Sequence, residues 1–307
     1  MISIAMTTYN GEHFLREQLD SILAQSITDW ELVICDDCSI DSSVKILTEY
    51  SEKDTRIKVY KNEKNIGLLA NFSKAISLCT GDFVATSDQD DIWECNHLQL
   101  LLDTIGDDVA SAGEALLVDQ SGSSLHRYMT KNVSGYTIDV DSTRKLSHLL
   151  FCSNPFSGAV CLFRREVFDL ALPIPQGVEY QDTWFTACAL CMGSLNFTST
   201  VITKHRLHAK NSSGAQNTKF LDRVKRTFFN EFGTDRIVYC DQLQNRFPNL
   251  STEKKQAIVF AKVWLQNRLN KRKIKAVWML LQNYKKMFAT NSKLQLFFRC
   301  LQILIRN

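Results

Sequence analysis

Three carboxylates crowd into Asp88-Gln89-Asp90-Asp91, and two more sit side by side at Asp36-Asp37. Like charges this close raise the cost of ionising one another unless a cation compensates. Hard divalent ions such as Mg²⁺ or Mn²⁺ take oxygen ligands and often bridge one or two carboxylates to a substrate's phosphates. Asp88 and Asp90 lie two apart, so they can share a side and each supply one metal contact, directly or through water. The plainer reading is a solvated acidic loop that caps a helix starting near Trp93. Asp36-Asp37 has the same ambiguity. It is either a helix-capping turn or a carboxylate that accepts hydrogen bonds from a base imide or a ribose hydroxyl.

These groups need a frame that brings them together. Ile2 to Met6 reads as a short strand, broken at Thr7-Thr8-Tyr9-Asn10-Gly11, and Leu15, Leu19, Ile22 and Leu23 then recur at helical spacing. Leu32-Val33-Ile34-Cys35 is a continuous apolar run of the kind buried on both faces. Asp41 or Ser42 can cap the next helix, with Val44, Leu47 and Tyr50 on its apolar face. Ile57 to Tyr60 alternates and belongs nearer an edge. Asn65-Ile66-Gly67 turns into a helix with Leu69, Phe72, Ile76 and Cys79, and Phe83 to Thr86 is a strand running into Asp88.

Strands alternating with helices predict an α/β fold with a mostly parallel, doubly wound sheet, and such sheets bind ligands at the carboxyl ends of their strands. Thr8 and Asn10, Asp36 and Asp37, and the Asp88 cluster all sit at strand ends and are expected along one sheet edge. Further on, a strand is expected from Ala159 to Phe163 and a helix from Thr183 to Met192, stopped by Gly193.

At 307 residues the chain can bury a large core, and length alone leaves one or two domains open. A hydrophobic content of 45% with 22% charged residues argues against disorder. Met1 to Met6 has no basic region before it, and no uncharged apolar stretch reaches about 18 residues. The expectation is a cytoplasmic protein with neither signal peptide nor spanning helix. Of the 10 cysteines, Cys35/Cys38 and Cys188/Cys191 have metal-site spacing. Their apolar neighbours favour buried, reduced thiols over zinc or disulfides.

Four segments in order resemble the inverting family 2 glycosyltransferases of GT-A type: Thr7-Thr8-Tyr9-Asn10-Gly11, Asp36-Asp37-Cys38-Ser39-Ile40-Asp41, Asn65-Ile66-Gly67 and Ser87-Asp88-Gln89-Asp90-Asp91-Ile92-Trp93. The likeness is nearest to bacterial enzymes of O-antigen and capsule synthesis, including rhamnosyltransferases, and covers residues 1–215. It implies a GT-A, Rossmann-like domain that takes a nucleotide-sugar donor such as dTDP-rhamnose or a UDP-hexose. It further implies that Thr8, Asn10, Asp36, Asp37 and Asp88 line the donor pocket. Asp88 and Asp90 match the D-x-D pair that holds a divalent metal, with Asp91 adjacent to serve in its place. Thr7 stands where many relatives have proline.

Glu179-Tyr180-Gln181-Asp182-Thr183-Trp184 is similar to the segment that supplies the catalytic base, so the resemblance points to Asp182 first and Glu179 second. An inverting transfer needs one carboxylate to take the acceptor's proton. Read from its position alone, Asp182 could equally be the N-cap of the helix that follows. His205-Arg206-Leu207-His208-Ala209-Lys210-Asn211 is similar to a late segment in which a histidine approaches the metal, here His208, while Arg206 and Lys210 could offset leaving-group charge.

Charge divides the chain. Residues 1–215 hold 17 Lys/Arg against 28 Asp/Glu, whereas residues 216–307 hold 19 against 5. The basic section is expected to be helical from about Phe220, with Trp264, Trp278, Tyr284, Phe288, Phe297 and Phe298 interleaved among its cations. Its densest run is Asn270-Lys271-Arg272-Lys273-Ile274-Lys275. Basic amphipathic helices of this kind lie on anionic membranes, which would suit a lipid-linked oligosaccharide acceptor and a peripheral position at the inner face of the cell membrane. The competing expectation is a packed helical subdomain with a solvated basic face. No nucleic-acid motif accompanies the charge, so no nucleic-acid partner is expected. Two other functions fit a doubly wound sheet with aspartates. A sugar-phosphate nucleotidyltransferase would need a glycine-rich basic loop after the first strand, which Thr7 to Glu12 lacks. A non-catalytic, membrane-attached assembly protein would not need Asp88, Asp90 and Asp182 together.

Overall fold

The computed structural model describes residues 1–130, 140–151, 154–208 and 234–287, together with 300, 303 and 304. Its centre is a nine-stranded sheet in the order β3-β2-β1-β4-β8-β6-β9-β5, with β7 added to β6. The strands are β1 (Ile2–Thr8), β2 (Trp30–Asp36), β3 (Ile57–Lys61), β4 (Phe83–Ser87), β5 (Ile92–Trp93), β6 (Ala110–Val118), β7 (Ser124–Tyr128), β8 (Cys161–Arg164) and β9 (Leu195–Arg206).

The first half of the fold is parallel. β1 pairs with β2 and β4, and β2 with β3, in the βαβ pattern the alternating sequence predicts. All seven residues of β2 are buried, as a strand covered on both faces should be, while β3 takes the sheet edge. Beyond β4 the sheet becomes mixed. β8 runs antiparallel to β4 and β6, β7 antiparallel to β6, and β9 parallel to β6. This is the α/β, mostly parallel sheet expected in its first half, and the strand expected at residues 159–163 enters it antiparallel as β8.

Helices α1 (Leu15–Leu23), α2 (Ser43–Ser51) and α3 (Leu68–Leu78) connect the parallel strands. α1 buries Leu15, Leu19 and Ile22, and α2 buries Ile46, Leu47 and Tyr50. Gly67 starts α3 at φ +84°, a left-handed conformation that glycine adopts without a Cβ penalty. Two local expectations need correction. No helix starts at Trp93: Ile92 and Trp93 pair as β5 with β9, and α4 (His97–Ile105) starts later. Asp182 is not an N-cap either, because α7 (Gln181–Met192) starts one residue before it with Tyr180 at the cap. Between them lie α5 (Ser142–Phe151), a short 3₁₀ turn Gly158–Val160 and α6 (Glu166–Ala171).

The C-terminal helices are α8 (Thr234–Arg246), α9 (Thr252–Leu269) and α10 (Lys273–Met287). They pack onto the sheet domain through named contacts. Tyr239 meets Trp184 edge to face at 5.9 Å, and its hydroxyl donates to the Tyr180 carbonyl at 3.1 Å. Arg246 lies over the Trp184 ring and donates to the Leu170 and Pro173 carbonyls. Phe151 contacts Trp264 at 5.2 Å, and Lys254 Nζ donates to the Cys191 and Gly193 carbonyls at the C-terminus of α7. One continuous core therefore runs from Ile4 in β1 to Trp264 in α9. The expected boundary between residues 215 and 216, the helix start at Phe220, Lys210, and Phe288, Phe297 and Phe298 lie outside the described residues. No described helix is long and apolar enough to cross a membrane. Cys35, Cys188 and Cys191 are free and buried, and desolvation raises each thiol's pKa, to about 11 for Cys35 and about 12 for Cys191.

Candidate active site

Register fixes the geometry of the site. Thr8 pairs with Asp36 and Met6 with Ser87, so the carboxyl ends of β1, β2 and β4 lie side by side and Asp88 follows at that edge. Two carboxylate clusters result, and their chemistry differs.

The first cluster stiffens the loops after β1 and β2. The Asp36 carboxylate is fully buried and accepts hydrogen bonds from Thr8 Oγ1 (3.0 Å), Ser39 Oγ (2.5 Å) and Ser39 N (2.9 Å). Asp37 accepts from Asn62 Nδ2, Ile66 N and Gly67 N at 2.8 to 2.9 Å, which fastens the turn into α3. Asn10 sits at φ +49°, tolerated because its short side chain bonds locally. Its Oδ1 accepts from Ile40 N, and its own N donates to Ser39 Oγ. Of the two caps expected for α2, Ser42 holds the N-cap position without a side-chain bond, while Asp41 accepts from Ser43 N and also from Glu12 N. Thr8, Asn10, Asp36 and Asp37 are thus neighbours.

Gln89 joins this cluster to the second. Its carboxamide accepts from Tyr9 N at 2.9 Å and donates to Tyr9 O at 3.1 Å. Gly11 makes room for it, since a Cβ there would lie 2.3 Å from Gln89 Oε1.

The second cluster gathers Asp88, Asp90, Asp91, His205, Arg206 and His208. Asp91 is fully buried, accepts from Arg206 N at 3.1 Å and pairs with His205 Nδ1 at 3.0 Å. Burial opposes charge on His205, but Asp91, Asp88 and Asp90 outweigh it and raise its pKa to about 9. His208 Nε2 lies 2.7 Å from Asp90 Oδ2, and its ring packs on Phe14 at 4.8 Å. Asp88 keeps some exposure. Its pKa is raised well above the carboxylate range, by desolvation first and then by Asp91 and Asp90, with Asp182 adding to the repulsion and His205 opposing it.

Asp182 reaches the same place from far along the chain. Thr86 Oγ1, on β4, donates to the Gly158 carbonyl at 2.8 Å. A Cβ on Gly158 would crowd Thr86 Oγ1 at 3.0 Å and meet Asp182 Cβ at 3.6 Å, so this glycine lies between β4 and the start of α7. Desolvation raises the Asp182 pKa, with Thr183, Arg236 and the Gly158 backbone opposing. Glu179, the second candidate base, is exposed on the loop before α7 and makes no hydrogen bond or ion pair among the described residues.

Sequence reasoning missed the parts of Gln89, Thr86, Gly158 and His205, and it misjudged Arg206. The Arg206 guanidinium is buried and committed: to Glu17 Oε2 at 2.5 Å, to the Asp90 carbonyl at 2.9 Å and to the Gln120 carbonyl at 2.9 Å, over the Phe14 ring. It clamps the acidic loop. The adjacent pair His205-Arg206 at the end of a twelve-residue strand was the available signal.

Among the described residues no three His, Cys, Asp or Glu side chains are grouped to hold one ion. Asp88 and Asp90 nonetheless fit a hard divalent cation that leaves its other positions to phosphate and water. The like-charge crowding that raises Asp88 is what such an ion would relieve. Buried, paired Asp91 does not fit that role.

The sequence profile of glycosyl transferase family 2 matches residues 3–170. The chain belongs to this family. The chain is similar to the UDP-Glc:alpha-D-GlcNAc-diphosphoundecaprenol beta-1,3-glucosyltransferase WfgD of Escherichia coli, 38% identical over 100 residues, which is 33% of this chain and 39% of that protein. The matched stretch thus spans well under half of that relative. The fold is similar to S. aureus TarS 1-349 in complex with UDP-GlcNAc, with a TM-score of 0.61 at 18% identity, covering 91% of this chain and 79% of that one. It is also similar to the mannosyltransferase PcManGT of Pyrobaculum calidifontis in complex with GDP-Man and Mn²⁺, with a TM-score of 0.60 at 16% identity, covering 91% and 71%.

Proposed function

We propose that this chain is a metal-dependent, inverting glycosyltransferase of cell-surface polysaccharide synthesis, such as that of O-antigen or capsule. It would move a sugar from a nucleoside-diphosphate donor, dTDP-rhamnose or a UDP-hexose, to a hydroxyl of a lipid-linked glycan. The observation that carries this reading is that Asp182, distant in sequence, stands beside Gly158 where that residue is bonded to Thr86 near the end of β4, close enough for its charge to bear on Asp88. One can serve the donor and the other the acceptor.

In this reading Thr8, Asn10, Asp36 and Asp37 shape the nucleoside pocket, and the saturated hydrogen bonds of the two aspartates hold that pocket rigid. Asp88 and Asp90 would hold Mg²⁺ or Mn²⁺, with His208 next to Asp90, while Asp91 fastens the loop to β9. When bound, the cation offsets charge on the departing diphosphate. Asp182 takes the proton of the acceptor hydroxyl as its oxygen attacks the anomeric carbon, and the nucleoside diphosphate leaves from the opposite face, inverting that centre. Burial suits Asp182 to this, because a raised pKa makes it a stronger base than an exposed aspartate.

The family's sheet is shared with TarS and PcManGT, whose structures hold UDP-GlcNAc and GDP-Man. The name of WfgD supports a diphosphoundecaprenol-linked acceptor. The test is a donor screen with a lipid-linked acceptor and Mg²⁺ or Mn²⁺, reading release of nucleoside diphosphate. Release with one donor, dependent on metal and acceptor, is expected; no release with any nucleotide sugar would sink the reading.

A further inference from the structure

α10 carries a feature that the catalytic reading does not use. Its buried side is Ala276 and Leu280, with the Ala276 carbonyl accepting from Trp264 Nε1 at 3.1 Å. On the opposite side Ile274, Trp278 and Leu281 follow one another at helical spacing and are 82%, 58% and 54% exposed. Leu304, 48% exposed, lies beside the start of this helix, where its carbonyl accepts from Lys273 Nζ at 3.2 Å. Single exposed apolar side chains need no explanation, but a stripe of large ones on one helix face does.

The flanks of the stripe are cationic. Lys271, Arg272 and Lys275 are exposed and Lys273 is half-buried, and among the described residues none of the four pairs with a carboxylate. An apolar stripe bordered by unpaired cations is the arrangement that lies in the headgroup layer of a bilayer, apolar side chains down and cations on the lipid phosphates. A nucleic acid would use the cations but has no place for Ile274 and Leu281. We infer that α10 docks the protein on an anionic phospholipid surface through Ile274, Trp278 and Leu281, with Lys271, Arg272 and Lys275 contacting the headgroups. This rests on the proposed lipid-linked acceptor, whose sugar stands at such a surface.

The chain reports on its own docking. Of the five tryptophans, Trp30, Trp93, Trp184 and Trp264 are buried, so a change in fluorescence on adding vesicles comes from Trp278. The full chain is mixed at low salt with phosphatidylglycerol vesicles or, separately, with phosphatidylcholine vesicles, without donor or acceptor. Expected are a blue shift and co-sedimentation with the anionic vesicles, both weakened by salt and absent with the zwitterionic ones. Each cation near an anionic surface contributes about 1 kcal/mol, so the triple variant Lys271→Glu, Arg272→Glu, Lys275→Glu should bind at least about a hundredfold more weakly. Ile274→Ser with Leu281→Ser should bind about tenfold or more weakly while keeping the wild-type melting temperature, as fits exposed positions.

Wild-type protein that neither shifts nor sediments overturns the inference. So does binding that survives both variants. A concentration-dependent dimer lost in Ile274→Ser with Leu281→Ser, without vesicle binding, would assign the stripe to a second copy instead. Transfer to a water-soluble acceptor analogue should be unchanged in both variants, so failure of docking and failure of the catalytic reading are separable.

Discussion

The two acidic clusters at the sheet edge use the same residue type in opposite ways. Asp36 and Asp37 are buried and saturated: every carboxylate oxygen accepts from a hydroxyl, an amide side chain or a backbone N–H of its own neighbourhood. Asp88 is desolvated among like charge and Asp182 is desolvated near it, and desolvation raises both above the ordinary carboxylate value. A saturated carboxylate is a fastener. A crowded one stores unfavourable energy that only a cation, a proton or a substrate relieves, as expected where chemistry occurs.

The sharpest break in this comparison is Asp182→Asn. Loss of a general base should lower kcat by about 10²- to 10⁴-fold. Donor binding, measured by calorimetric titration, should not change, and unchanged transfer would remove Asp182 from the mechanism. In the wild type the acid limb of kcat should lie above pH 3.8, because the Asp182 pKa is raised.

Asp37→Ala attacks the saturated cluster. It leaves Ile66 N, Gly67 N and Asn62 Nδ2 without their acceptor. A loss of about 3 kcal/mol is expected from chemical denaturation. Asp88→Asn should do the reverse without metal: it removes a crowded charge, so stability holds or rises slightly, while metal-dependent donor binding weakens. A melting temperature lowered as far as in Asp37→Ala would erase the distinction between the clusters.

The smallest effect lies at the other end of the sheet, at Glu31. Burial opposes its charge most, but Lys58, Ser3 and Thr80 overcome this and hold its pKa at about 2, below the ordinary 4.5. The folded state therefore binds this proton more weakly than the unfolded chain. The stabilisation is present above pH 4.5 and is lost as pH falls toward about 2. Unfolding followed from pH 6 to pH 2 should flatten over that window in Glu31→Gln.

Local pattern carried the parallel half of the fold and most of the acidic cluster. Leu32 to Cys35 had to be a buried strand, Gly67 had to start a helix, and three carboxylates in four positions demanded compensation. The strand at β8 was legible but its partners were not, because β6, β8 and β9 pair across long sequence separations that no local period encodes. Arg206 was misread for a related reason: a cation's sequence neighbours do not reveal that Glu17 and the Asp90 and Gln120 carbonyls will enclose it.

The sequence by itself determined which groups could do chemistry, their order along the chain and the alternation that sets strand ends on one edge. Only the tertiary structure decided how those groups are surrounded. It enclosed Asp36, Asp37 and Asp91 in hydrogen bonds, crowded Asp88 with like charge, desolvated Asp182, and exposed the apolar side of α10. Each outcome depends on burial and on partners distant in sequence, because solvation and Coulomb energy follow distance in space and not position in the chain.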